Sequence, residues 1–288
     1  MLRLPALAAL TFLLLPAQEP APKPLDFVCP MDRDVRTQKP GKCPRCGMRL
    51  TADLPEHVEY PMRVRATPAA FRAGQNVQLD FQITDPKTKK PVRDFELMHE
   101  KLFHLFLISQ DLSWFAHEHP EKLPDSTFRY AATFPKPGAY RLAADFFPAG
   151  GTPQFLIRTL ITAGATAGEI AAIPKLSADL VPKRGRNLEV ELVTEPPQVL
   201  AGKETLLFLR VKPHEGLEQY LGAWGHMLAA SDDLIDMIHS HPRYADGGPQ
   251  VQFNLIFPRE AVYRVWVQFQ RQGVVNTVAF NLPVKALR

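Results

Sequence analysis

The 288-residue sequence predicts a mainly β chain: a small cysteine knuckle followed by two tandem, internally duplicated antiparallel β-sandwiches. Two observations carry this. First, short runs alternate apolar and polar residues between Gly, Pro and Asp punctuation, with little helical periodicity, as expected of half-exposed strands. Second, the chain repeats itself. FRAGQNVQLDFQIT and VLAGKETLLFLRVK each set an Ala-Gly turn before an alternating run, and FPKPGAYRLAADF and FPREAVYRVWVQF each set a Phe-Pro turn six residues before a tyrosine. Short alternating strands in this order are the pattern of an Ig- or cupredoxin-like sandwich in each copy.

The elements follow in order. MLRLPALAALTFLLLPA, residues 1–17, has one arginine, a short apolar run and a small residue at its end, the layout of a cleaved secretory signal. Its apolar run is short for a membrane span, an uncleaved anchor being the alternative. Residues 18–24 form a Pro-rich linker, 25–54 the cysteine segment, 58–162 the first sandwich, 163–185 a second linker with room for one helical turn, and 186–288 the second sandwich. With 34 basic against 30 acidic residues, scattered along the chain, nucleic acid is excluded as a partner. A periplasmic or secreted protein is expected.

HLFLISQDLSWFAHEHP and HMLAASDDLIDMIHSHP have equal length and carry three histidines each at the same places: His104, His117, His119 and His226, His239, His241. SQDL and SDDL read as hairpin turns centred on Gln110-Asp111 and Asp232-Asp233. That register sets His104 opposite His117 and His226 opposite His239, and the period of two keeps His119 and His241 on the same face. Phe106, Ile108 and Phe115, and in the second copy Leu228, Ile235 and Met237, share that face, which is taken as the inward face of each sandwich; Glu118 and Asp236 take the other. Three converging imidazoles can hold copper or zinc; histidines hydrogen-bonded for structure are the alternative. Met98 and His99 are possible added ligands, with a core methionine and a loop histidine as the plainer reading. Neither sandwich holds a cysteine, so a blue-copper centre is excluded.

DFVCPMDRDVRTQKPGKCPRCGMRL contains all three cysteines, Cys29, Cys43 and Cys46, too few and too clustered for a disulfide framework. CPRC can place two thiolates on one ion, and Met31 and Met48 follow Cys29 and Cys46 at one offset. Thiolate and thioether donors favour Cu(I) or Ag(I); a zinc knob would need Met31, Met48 or Asp32 as its fourth ligand. The alternative is a Cys43–Cys46 disulfide with Cys29 free. These residues, Phe27 to Leu50, resemble the heavy-metal-binding domain related to YHS and TRASH modules, found in copper and silver P-type ATPases and in efflux adaptors. That family's form reads Cys-Pro-Met-His-Pro, and here Asp32 and Arg33 stand at the His-Pro positions. YLGAWGHMLAAS and LIDMIHSHP resemble, more loosely, exported bacterial domains that accompany such modules.

The function expected is capture or buffering of soft metal ions, Cu(I) or Ag(I) at the cysteines with Cu(II) or zinc as candidates at the histidines, for copper tolerance or delivery. A metal-responsive adaptor for a membrane efflux or transport protein is the alternative. No catalytic base is evident, so an enzyme is not expected; a zinc or copper enzyme using the histidine triplets is the third reading.

Overall fold

The computed structural model describes residues 27–32, 35–37, 39–52, 58–172, 174 and 176–287. The expected signal segment and its linker lie outside the described residues. Among those described, no helix is long and apolar enough to cross a membrane.

Each copy is a pair of facing sheets. In the first, one sheet runs in the order Met62–Thr67, Asn76–Ile83, Phe128–Thr133, Glu121–Lys122 and the other Gln154–Ile161, Ala139–Phe146, Phe103–Ser109, Phe115–Glu118. In the second, Lys183–Arg184, Glu189–Glu195, Glu204–Lys212 and Gln250–Ile256 face a sheet ordered Val199–Leu200, Val274–Lys285, Ala261–Arg271, His226–Ser231, Met237–Ser240. Alternation does the local work: Val77, Leu79, Phe81 and Ile83 all point into the first core, and Leu207, Leu209 and Val211 into the second. Both repeated tyrosines are fully buried, and each hydroxyl donates to the backbone carbonyl four residues upstream, Tyr140 to Lys136 at 2.7 Å and Tyr263 to Arg259 at 3.2 Å. These are tyrosine corners of the sandwich type, and they explain the repeated Phe-Pro-to-Tyr spacing. Between the sandwiches lies the short helix Ala167–Ala171, started by a Thr166–Glu169 capping box.

Strands Phe103–Ser109 and His226–Ser231 are buried along their whole length. Phe103, Leu105 and Leu107 enter the core of their own sandwich, as do Met227 and Ala229. The alternate residues face the other sandwich: Phe106, Ile108 and Leu112 meet Leu228, Ala230, Leu234 and Trp266, and Phe115 stacks on Trp266 at 4.9 Å. The histidine-bearing face is therefore not the inward face of either sandwich, as the sequence suggested, but the face that joins them. A strand apolar on both sides does not reveal which side is its own core. Ile235, expected on this face, is instead 67% exposed.

The cysteine segment forms a three-stranded scrap of sheet, Arg36–Thr37, Phe27–Val28, Thr51–Ala52. Cys29, Cys43, Met48 and Leu50 pack with Met98 and Phe147 of the first sandwich in one apolar cluster. Met98 is thus a core residue, and it fixes the module beside the histidine hairpin.

Candidate metal centres

The thiols converge. In the knuckle, Cys43 N–H donates to the Met48 carbonyl at 2.7 Å and Gly47 N–H to the Cys43 carbonyl at 2.9 Å. Gly47 sits at φ 72°, a conformation a β-carbon would strain. All three cysteines are free; the Cys29 and Cys46 sulfurs are 3.4 Å apart, and the Cys43 thiol donates to Asp32 Oδ2 at 3.4 Å. One ligand atom from each of Cys29, Asp32, Cys43 and Cys46 lies within 4.8 Å of the others. Asp32 thus takes a place in the donor set. Met48 is buried against the thiols, whereas Met31 is 36% exposed and lines a cleft beside them.

The thiol hydrogen bond from Cys46, with further backbone and side-chain donors, brings Cys29 down to about 6. Donating to Cys29, and then burial, push Cys46 up; burial pushes Cys43 up. At neutral pH the triad therefore holds one ready thiolate and two thiols whose protons a bound ion must displace.

In the histidine hairpins the observed register pairs Phe106 with His117 and Leu228 with His239. His104 therefore lies level with His119, and His226 with His241, two residues from the expected pairing. The cause is the turn: Leu112 and Leu234, not the aspartates alone, occupy its centre, at φ 58° and 56°. Their strain is offset by burial of both side chains between the sandwiches. A two-residue slip leaves every side chain on its own face, so each trio still converges. Glu118 pairs with Leu105 and so lies on the opposite face.

Partners set the tautomers. His104 Nε2 is 2.9 Å from the Met98 carbonyl, which can only accept, so Nε2 carries the proton and Nδ1 a lone pair. His117 Nδ1 is 2.7 Å from Gln268 Oε1, and the Gln268 amide nitrogen donates to Thr277 Oγ1 at 3.0 Å. His117 Nδ1 is thus protonated and Nε2 bears the lone pair. These two lone pairs face each other at 3.1 Å, with His119 Nε2 3.3 Å from His104 Nδ1. Two acceptors at that distance call for a cation between them.

The second trio follows the same plan. His226 Nε2 donates to the Tyr220 carbonyl at 2.7 Å, His239 Nδ1 donates to Asp145 Oδ2 at 2.6 Å, and His241 Nε2 is 3.0 Å from His226 Nδ1. That leaves His239 Nε2 a buried lone pair with no hydrogen-bond partner among the described residues; His241 Nδ1 is likewise unpaired. Within each trio the ligand nitrogens lie within 4.8 Å of one another. Burial lowers His104 to about 4 and His119 to about 3, and takes His117, His226 and His241 well below the ordinary value, so these five stay neutral. Neutral imidazoles are the form that binds metal.

His99 belongs to this cluster as well. It occupies a tight turn closed by reciprocal Met98–Lys101 backbone hydrogen bonds, at φ 44°, stacks on His241 at 3.5 Å, and its buried Nε2 has no partner among the described residues. Sequence reasoning weighed it as a loop residue; a non-glycine at positive φ gives no sequence signal. His214 lies apart, beside Glu215 at 3.8 Å, and His57 lies outside the described residues. A cleft of about 950 Å³ runs from Met31, Asp32 and Cys46 to His99, His239 and His241, so the thiol centre and the second trio open onto one space.

Residues 56–159 and 184–286 each match the family described as a domain of unknown function, DUF8832, and residues 27–52 match the heavy metal binding domain. No curated protein matches the chain. Among solved structures it is similar to the Escherichia coli adhesin FdeC, at 13% identity over 80% of this chain and 66% of that one, TM-score 0.26. The fibronectin(III)-like modules of Clostridium thermocellum CbhA are 11% identical over 78% and 95%, TM-score 0.22, and chicken CNTN1 FN1–FN3 10% over 81% and 70%, TM-score 0.22. Likenesses this loose say nothing of function.

Proposed function

Since this chain belongs to the DUF8832 family, in two tandem copies behind a heavy metal binding domain, we propose that it captures and buffers soft metal ions, Cu(I) or Ag(I), outside the cytoplasm. The observation that carries the reading is the half-buried set of three sulfurs with Asp32, all ligand atoms within 4.8 Å. Soft thiolates select soft ions, and the single ready thiolate at Cys29 gives the first bond. The histidine trios hold a second store of harder ions, Cu(II) or zinc. Binding and release need no catalytic base, so the protein is a carrier rather than an enzyme. An efflux or transport protein of the membrane would be its partner in delivery.

Asp32 supports a second reading: three thiolates and a carboxylate form a closed four-donor set suited to Zn(II) or Cd(II). Titration of the chain without residues 1–17 against a Cu(I)-chelating competitor, in parallel with Zn(II), separates the two. One Cu(I) retained per thiol centre, and lost in Cys43→Ser/Cys46→Ser, is expected. Zn(II) retained by the parent but lost in Cys43→Ser/Cys46→Ser, with no Cu(I) retained, selects the second reading, and no thiol-dependent retention of either ion removes both.

A further inference from the structure

The two trios meet at one interface. Asp145 pairs in its sheet with His104, and Gln268 with His226, so the two residues occupy the same register position in their respective copies. Each reaches across the interface: Asp145 of the first sandwich holds His239 of the second, and Gln268 of the second holds His117 of the first. The rings also mingle. His117 and His226 have centroids 5.5 Å apart, His104 and His239 5.6 Å, and His104 and His226 6.2 Å. Phe106 walls the chamber, 4.3 Å from His117 and 4.7 Å from His239.

We propose that the six histidines form one two-ion centre built across the sandwich interface, taking borderline divalent ions such as Cu(II) or Zn(II), with unequal halves set by Asp145 and Gln268. The proposal rests on the histidine part of the reading above and is independent of the thiol centre. A ligating imidazole whose other nitrogen donates to a carboxylate is a stronger donor than one held by a neutral amide. Asp145 also brings negative charge to a chamber where two dications would repel. The His226, His239 and His241 half therefore fills first and the His104, His117 and His119 half second. Because each half is oriented by the opposite sandwich, loading clamps the two domains together, which an Ig-like pair joined only by an apolar face would not require.

The test uses the full mature chain carrying Cys29→Ser, Cys43→Ser and Cys46→Ser, so that no thiol binds or reduces the probe, with Cu(II) as the probe. The expected result is two Cu(II) per chain, the first bound at least 10-fold tighter. The first equivalent should give an isolated Cu(II) electron paramagnetic resonance spectrum, and the second should replace it with a spin-coupled spectrum showing a half-field line. Asp145→Asn should weaken the first ion, and Gln268→Ala the second, each by about 10–100-fold. Exchanging the pair, Asp145→Gln with Gln268→Asp, should move the tighter ion to the His117 half, which a merely structural role for either residue would not do. A single ion per chain, two magnetically isolated ions, or affinities indifferent to Asp145→Asn would overturn the proposal. No Cu(II) bound at all would remove the histidine reading itself and leave Cu(I) capture by the parent thiols standing.

Discussion

Acidifying the metal-free protein should open the contact between the sandwiches. His99, His104, His117 and His226 are all buried in the folded chain. Burial holds His104 down to about 4 and His99 to about 3, with His117 and His226 well below the ordinary value of 6.5. Exposed imidazoles return to that ordinary value, so below it the opened state binds more protons than the closed one. Stability is therefore fully present above pH 6.5 and is lost as pH falls toward the folded values near 4. Each group contributes about 1.4 kcal/mol per pH unit across this window, and four together set a limiting slope of about 5–6 kcal/mol per unit. Against a domain stability of about 5–15 kcal/mol, about one to three pH units suffice. Each sandwich keeps its own core, so separation of the pair precedes loss of the strands. Trp266, stacked on Phe115 at the contact, reports it. In chelator, the emission of Trp266 should change cooperatively between about pH 6 and 5 while far-ultraviolet circular dichroism holds, and the urea midpoint should fall from pH 7 to 5. His226→Gln should lower the slope by about 1.4 kcal/mol per unit. A urea midpoint that stays flat from pH 7 to 5 would refute the reasoning.

Trp266→Ala removes the largest side chain of the interdomain cluster and should cost about 3–5 kcal/mol, read as a lower thermal midpoint and weaker Cu(II) retention by the histidines. Tyr263→Phe loses the hydroxyl bonds to the Arg259 carbonyl and to Asp236 Oδ2 and should cost about 0.5–1.5 kcal/mol in urea unfolding, with metal binding unchanged. Gly225→Ala sets a β-carbon 2.8 Å from the Phe269 ring, just before His226. It should destabilise by about 1–3 kcal/mol and weaken the second trio more than the thiol centre, measured by metal titration of each.

The strands and the duplication were readable because period-two alternation and the Phe-Pro-to-Tyr spacing are local. The convergence of each trio was readable for a subtler reason. The expected turn lay one residue too early, yet the error displaced the pairing by two, and a shift of two preserves the face. Had Leu112 and Leu234 moved the turn so as to change the register by one, the prediction would have failed outright. What local pattern could not supply was the identity of the neighbour. Phe103–Ser109 and His226–Ser231 are apolar on both faces, and such a strand is compatible with either face being its own core.

A usable signal nonetheless stood five residues after each repeated tyrosine. Asp145 and Gln268 interrupt strands that are otherwise dense in apolar residues, AYRLAADF and AVYRVWVQF. A polar group in such a place must find a hydrogen-bond partner or carry a desolvation cost of about 1–3 kcal/mol. Its recurrence in both copies points to a partner that recurs as well, and on the matching face the histidine trios are repeated, beside Arg141 and Arg264 of the same strands. The inference stops there without coordinates, because the partner of each lies in the other copy, 94 and 151 residues away in sequence. Only the folded pair shows that the two copies complete each other: each supplies the lone pairs, and the other supplies the acceptor that aims them.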